Sequence, residues 1–258
     1  MPPRVFVPQS FVPEIEFALP AAASRHLQVL RLQPGETVTL FNGIDGAEWP
    51  AEITRIGRQA VDVRIGHARP VDRELPCAVT LALGAPANDR MDALVEKAAE
   101  LGARAIQPLV CERSVLRLSG ARAESRRVHW AGVAAAASEQ CGRTRVAAVR
   151  PVTTFATWLA ARDPDDDDAQ RAVLSFDAAA AAADTLADEI APRDGRPRGV
   201  IVLSGPEGGL TASEEEAAVA RGFRRVGLGP RVLRADTAPL AFLAWLAVAW
   251  GAARKDRR

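Results

Sequence analysis

The chain has 258 residues, 48% of them hydrophobic, and its 33 basic and 32 acidic side chains leave a formal charge of +1. That length can bury one large core or two ordinary ones, and the near-neutral balance excludes a uniformly polycationic or polyanionic protein. Three dispersed cysteines (Cys77, Cys111, Cys141) and three dispersed histidines exclude a disulfide framework and a clustered metal site, and read as free thiols in a reducing compartment.

The first residues, MPPRVFVPQS, have no basic stretch leading into an apolar one, so no secretion signal is expected and a cytoplasmic location is. RVFV (4–7), ETVTLFNG (36–43), AEWPAEITRIG (47–57) and AVDVRIG (60–66) carry apolar residues at roughly period two. Pro34-Gly35, Asn42-Gly43 and Asp45-Gly46 punctuate them, which predicts short strands joined by turns. A short helix is expected around Ser24–Arg31. Residues 1–70 therefore read as a small β-barrel or compact sheet, and ARPVDRELP (68–76) as a boundary.

From residue 76 the pattern lengthens. CAVTLALG (77–84) is a nearly continuous apolar run of the kind covered on both faces. Met91, Leu94, Val95, Ala98 and Leu101 recur at three- and four-residue steps and predict a helix over Asp89–Gly102. ARAIQPLVC (103–111), VAAVRP (146–151), RAVLSF (171–176), GVIVLSG (199–205) and GFRRVGLG (222–229) read as further strands. Helices are expected over Ser119–Ala137, Thr154–Ala161 and Pro239–Arg254. Strands alternating with helices imply an α/β domain with a mostly parallel sheet over residues 76–258. The apolar stretch LAFLAWLAVAW (240–250) is too short to span a bilayer and reads as a buried helix.

Charge is unevenly spread. Residues 111–150 hold eight arginines against three acids, whereas 161–196 hold ten acids against four arginines. Basic stretches in a neutral chain are compatible with nucleic acid without requiring it. The run Asp165–Asp168 reads as a solvated loop, because consecutive carboxylates are not preorganised for a metal.

The stretch LSGPEGGLTASEEE (203–216) follows an apolar run and precedes a helix with capping-box spacing from Thr211 to Glu214. Ligands of parallel sheets bind beyond the carboxyl ends of strands, so this is a tight turn or the wall of a site. It lacks the lysine of a triphosphate-binding loop and the spacing of a dinucleotide fingerprint, which disfavours nucleotide hydrolysis. LGPRVLRADTAPLAFLAW (228–245) repeats the arrangement: a strand, then glycine and proline, then a helix. Two such loops, with Leu228 and Leu233 as apolar walls, suit an uncharged heterocycle.

RHLQVLRLQPGE (25–36), DRMDALVEKAAELGARAIQPLVCERS (89–114), EQCGR (139–143), LSGPEGGLTASE (203–214) and LGPRVLRADTA (228–238) together resemble, in order and spacing, the small-subunit ribosomal RNA uridine-N3 methyltransferases of the SPOUT, or trefoil-knotted, superfamily. The resemblance implies a PUA-like RNA-binding β-barrel over 1–70. It also implies an α/β methyltransferase domain over 76–258 with a deep trefoil knot. The implied cofactor is S-adenosyl-L-methionine, held by Leu203, Gly205, Pro206, Glu207, Gly208, Gly209, Leu228, Gly229, Pro230, Leu233 and Arg234, with the Ser175–Asp177 strand end nearby. The implied substrate is 16S ribosomal RNA in the assembled small subunit, methylated at N3 of a decoding-region uridine by a homodimer. Arg113 and Arg143 are the expected stabilisers of the reacting uracil, and the alternative for both is a salt bridge outside any site. Arg4, Arg25, His26 and Arg31 are expected RNA contacts, with a structural histidine as the alternative for His26. Glu207 is either a base or the organiser of its glycine loop. Two features depart from the family: Ala87-Asn88 stands where lysine and glycine are common, and Cys141 where serine is usual. The competing readings are methylation of another RNA position and a non-catalytic RNA-binding or assembly protein that keeps the fold.

Overall fold

The computed structural model describes residues 2–162, 169–176, 181–182 and 199–255; Asp165–Asp168, Asp177 and most of the alanine-rich stretch after it lie outside the described residues. The chain divides into two compact units. One comprises Met1–Glu74 with Ala135–Val146, the other Leu75–Ala134 with Ala147–Arg258.

In the first unit the period-two segments become strands β1 (Arg4–Phe6), β2 (Glu16–Ala18), β3 (Thr37–Phe41), β4 (Ala47–Ile56), β5 (Val61–Ile65) and β6 (Arg69–Pro70). They pair in the order β1-β3-β4-β5-β2, with β6 on β4. Alternation decides the register: Ile53 faces Val63 and Ala51 faces Ile65, so Val61, Val63 and Ile65 turn inward together while Arg64 faces solvent. Helix α1 (Ala21–Val29) adds Ala23 and Leu27 to this core. It begins at Pro20 rather than at Ser24, because the buried Ser24 hydroxyl donates to the Leu19 carbonyl and accepts from the Val61 N–H. Arg31 lies beyond the helix with a positive φ of 56°.

The expected boundary near residue 70 misses a return of the chain. Glu139 accepts the Phe6 N–H at 2.8 Å, and Arg143 donates to Glu74 at 2.9 and 2.5 Å. Residues 135–146 thereby belong with the β unit, although they follow long after it in sequence.

The second unit contains β7 (Val79–Gly84), α2 (Asn88–Glu100), β8 (Ala105–Val110), α3 (Gly120–Cys141, up to Ala134), β9 (Ala148–Val149), β10 (Thr153–Thr154) and α4 (Phe155–Ala160). These are followed by β11 (Gln170–Leu174), β12 (Ala181–Ala182), β13 (Val200–Ser204), α5 (Ala212–Ala220), β14 (Arg224–Gly227) and α6 (Thr237–Lys255). The strands form a parallel sheet in the order β10-β8-β7-β13-β11-β14-β12, with β9 on β8. Both faces are covered, which is why β7 and β13 read as unbroken apolar runs. Helix α2 buries Met91, Leu94, Val95 and Ala98 of the residues its periodicity singled out, while Leu101 is its half-buried C-cap. Strand β9 is shorter than the expected 146–151 segment. Helix α6 buries Phe242, Leu243 and Leu246, and among the described residues no helix is long and apolar enough to cross a membrane.

Candidate active site

Because the sheet is parallel, the carboxyl ends of β8, β7, β13, β11 and β14, neighbours in that order, lie along one edge. The segments leaving β7, β13, β11 and β14 and the Cys111–Ser114 turn after β8 gather there around one cavity of about 630 Å³, the size range of small-ligand sites. Its wall includes Gly205, Pro206, Glu207, Gly208 and Gly209 from the first glycine loop and Leu228, Gly229, Leu233 and Arg234 from the second. Arg90, Arg113, Ser175, Phe176, Glu215 and Arg225 also line it.

The first loop is held by close backbone approach. A Cβ on Gly205 would stand 2.6 Å from the Leu210 nitrogen and 2.8 Å from the Gly209 carbonyl carbon. A Cβ on Gly84, at the end of β7, would stand 2.4 Å from the Pro206 nitrogen. These two glycines let neighbouring strand ends bring their loops together. Within the loop, the Gly209 N–H donates to the Pro206 carbonyl at 2.8 Å, and Gly209 has a φ of +71°.

Two carboxylates fasten this loop to its neighbours. Glu207 accepts the Ala87 N–H at 3.0 Å, tying the glycine turn to the start of α2. Glu214 forms the expected capping box with Thr211, and its other oxygen accepts the Glu112 N–H at 2.9 Å. The turn after β8 is thus fixed to the start of α5. Arg113, on that turn, donates through Nη1 to the Gly208 carbonyl at 3.1 Å and to the Leu210 carbonyl at 3.4 Å. At the far side, Glu215 accepts from the Ser175 hydroxyl at 2.6 Å and from Arg225 Nε at 2.8 Å, and Glu216 pairs with the same arginine. In the second loop, the Arg234 carbonyl accepts the Thr237 and Ala238 N–H groups and so starts α6.

Several residues are placed differently from the sequence expectation. Leu203 is fully buried in the core below the cavity, where Ser204 takes the lining position, and Pro230 does not line it. Arg143 is also absent from the wall. Its guanidinium is 3% exposed and ion-paired with Glu74 in the first unit, the salt-bridged alternative. Arg4 is not the surface contact expected of it: it is 8% exposed, bonded to Glu48 and to the Arg143 carbonyl, and lies 5.0 Å over the Phe41 ring. Arg25, His26 and Arg31 are exposed. His26 Nδ1 is 4.0 Å from Glu139. Ser175 and Phe176, of the strand end expected nearby, line the wall, whereas Arg90, Glu215 and Arg225 were not singled out from sequence; their nearness to the glycine loops depends on strand order, which no local pattern announces.

Cysteine chemistry plays no part at this wall. Burial pushes the Cys111 thiol up to about 12, with the Glu214 charge adding to the effect, and burial alone does the same to Cys77. Among the described residues no histidine, cysteine and carboxylate cluster could hold a metal ion.

A doubly covered parallel sheet, with a glycine-walled cavity at its carboxyl edge and a small β unit ahead of it, defines an α/β enzyme fold with an accessory domain. The chain matches the family model of the RNA methyltransferase domain over residues 73–247 and that of the RNA methyltransferase PUA domain over 19–66. It belongs to this family of RNA methyltransferases. The chain is 31% identical over 227 residues to the ribosomal RNA small subunit methyltransferase E of Bacillus subtilis (strain 168), covering 87% of this chain and 86% of that one. Against the enzyme of the same name from Synechocystis it is 31% identical over 247 residues, 93% of this chain and 76% of that one. Among solved structures, the ribosomal RNA small subunit methyltransferase E from Neisseria gonorrhoeae bound to S-adenosyl methionine superposes with a TM-score of 0.86 at 34% identity, covering 97% and 98% of the two chains. A methyltransferase from Legionella pneumophila in complex with the same cofactor gives 0.84 at 30% identity, with 98% of both chains covered.

Proposed function

We propose that this protein transfers the methyl group of S-adenosyl-L-methionine to N3 of a uridine in 16S ribosomal RNA. The observation that carries the reading is the single cavity in which both glycine loops meet. The likeness to cofactor-bound structures over nearly the whole chain supports it.

The residues present fit the cofactor. Two glycines let the first loop pack closely on itself and on the end of β7, which shapes a wall of backbone groups at the cavity. Gly205–Gly209 with Leu228, Gly229, Leu233 and Arg234 would hold it, Leu228 and Leu233 supplying apolar wall. When bound, it supplies an activated methyl group, which needs an aligned nucleophile rather than a covalent protein intermediate. Glu207 acts on the loop through Ala87 and so fits the organising role better than that of a base. Arg113 places a fixed positive charge on the wall, pinned by two carbonyls, where it stabilises the negative charge that uracil develops as its imide proton leaves. For N3 to reach the cavity the base must leave its stack.

The family resemblance further supports a trefoil knot in the second unit, a homodimer, and action on the assembled small subunit, with Arg25, His26 and Arg31 as RNA contacts of the first. Digested small-subunit RNA from cells with and without the gene, compared by mass spectrometry, tests the activity. Loss of N3-methyluridine alone is expected. Loss of a different mark, or of none, refutes the assignment. Calorimetry with S-adenosylmethionine separates an enzyme from a fold retained without chemistry, since the latter would bind none.

A further inference from the structure

The cavity wall carries five arginines against three glutamates, and the internal bonds do not use all of that charge. Arg225 is paired with Glu215 and Glu216, and Arg113 is bonded to two loop carbonyls. Glu207 is taken up by the Ala87 amide. Arg90, in the first turn of α2, and Arg231, in the second glycine loop, are both exposed, and their side chains make no hydrogen bond or ion pair among the described residues. A guanidinium cannot shed its proton at any working pH, so two unpaired forks at one opening form a fixed site for an anion.

We propose that Arg90 and Arg231 form a phosphate-binding rim at this cavity, holding the RNA strand that carries the target base; the proposal rests on the methyltransferase reading above. Holding the backbone at two points of the cavity wall fixes its register, and the target base can then enter. One rim arginine lies in the first turn of the helix after β7 and the other in the loop after β14, so the strand is held only where those two segments keep their present spacing. Arg234, on the same loop as Arg231, stays with the cofactor in this account. A methionyl carboxylate is the other anion of matching chemistry, and the test separates the two.

The full-length protein is titrated with a short end-labelled single-stranded RNA over a range of salt concentrations, and in parallel with S-adenosylmethionine and its decarboxylated form by calorimetry. Arg90→Gln and Arg231→Gln should each lower the slope of log affinity against log salt by about 0.7, which corresponds to about a fourfold loss near physiological salt. Arg90→Lys and Arg231→Lys should retain the slope, and cofactor affinity should be unchanged in all four variants. Unchanged slopes in the folded Gln variants overturn the proposal. So does a loss of affinity for S-adenosylmethionine but not for its decarboxylated form, which would assign the arginines to the cofactor carboxylate. Wild-type protein that binds RNA but no S-adenosylmethionine would refute the proposed function instead, and the slopes would still decide the arginine assignment.

Discussion

Gly205→Ala isolates the backbone geometry of the first glycine loop from its chemistry. The new methyl carbon would meet the Leu210 nitrogen at 2.6 Å, the Gly209 carbonyl carbon at 2.8 Å and the Gly209 Cα at 3.1 Å. All three are backbone atoms, so no side-chain rotation relieves the clash. Ordinary contact starts at 3.4 Å, so the loop must part by about 0.8 Å at its tightest point. Overpacking of this kind costs about 1–3 kcal/mol. The strain has two outlets. Kept in the folded state, it lowers the melting temperature; relieved by moving Gly209–Leu210, it deforms the cofactor wall and lowers affinity, by about 5- to 150-fold if the whole amount appears there. Calorimetric binding of S-adenosylmethionine and thermal unfolding, measured together, account for both. Gly209→Ala is the counterpart, since its Cβ meets no atom within 4 Å and only the positive φ opposes it, at about 1–2 kcal/mol. Full stability and full affinity in Gly205→Ala would refute the packing argument.

Glu207→Gln keeps an acceptor for the Ala87 N–H and should retain turnover within a few fold, whereas Glu207→Ala loses it and should weaken cofactor binding by about tenfold, the cost of one hydrogen bond to a charged acceptor; near-complete inactivity of the Gln variant with normal cofactor affinity would reinstate a base. Arg143→Ala leaves Glu74 without its buried partner and should cost about 3–5 kcal/mol of stability, read as a fall in melting temperature. Turnover lost at unchanged stability would return Arg143 to the chemistry. Thiol labelling of the native protein at mildly alkaline pH should modify Cys141 and spare Cys77 and Cys111, since both of the latter are buried and remain protonated until pH approaches about 12; peptide mapping after labelling reads this directly.

What sequence could reveal here is what is local. The period of Met91, Leu94, Val95 and Ala98 marked the buried face of α2, and Thr211 to Glu214 marked a helix start whose capping box is present. The apolar runs of β7 and β13 announced a sheet covered on both faces. The failures share a cause: each depends on partners far apart in the chain. Arg4 was expected at RNA, and Arg143 at the reacting uracil or in a salt bridge; Arg143 pairs with a glutamate 69 positions away and offers its carbonyl to Arg4 across 139. An arginine in an ion pair and one facing RNA carry the same local signature. Burial separates them, and burial is a property of the fold.

The site was half legible for the same reason. The two glycine loops were visible as strand-to-helix junctions, but their neighbours follow from sheet order, in which β13 sits between β7 and β11. That placement sets the loop after β13 against the start of α2, so Glu207 finds Ala87, and against the turn after β8, so Arg113 finds Gly208. Glu214 shows how one residue serves both levels. One carboxylate oxygen closes a capping box readable from a four-residue spacing, and the other accepts an amide 102 positions away that nothing nearby predicts. The wall is therefore fastened by bonds among loops as well as within them. Substitutions at Glu207, Glu214 or Arg113, whose side chains make these bonds, should then change cofactor affinity through the glycine loop, even where they touch no ligand.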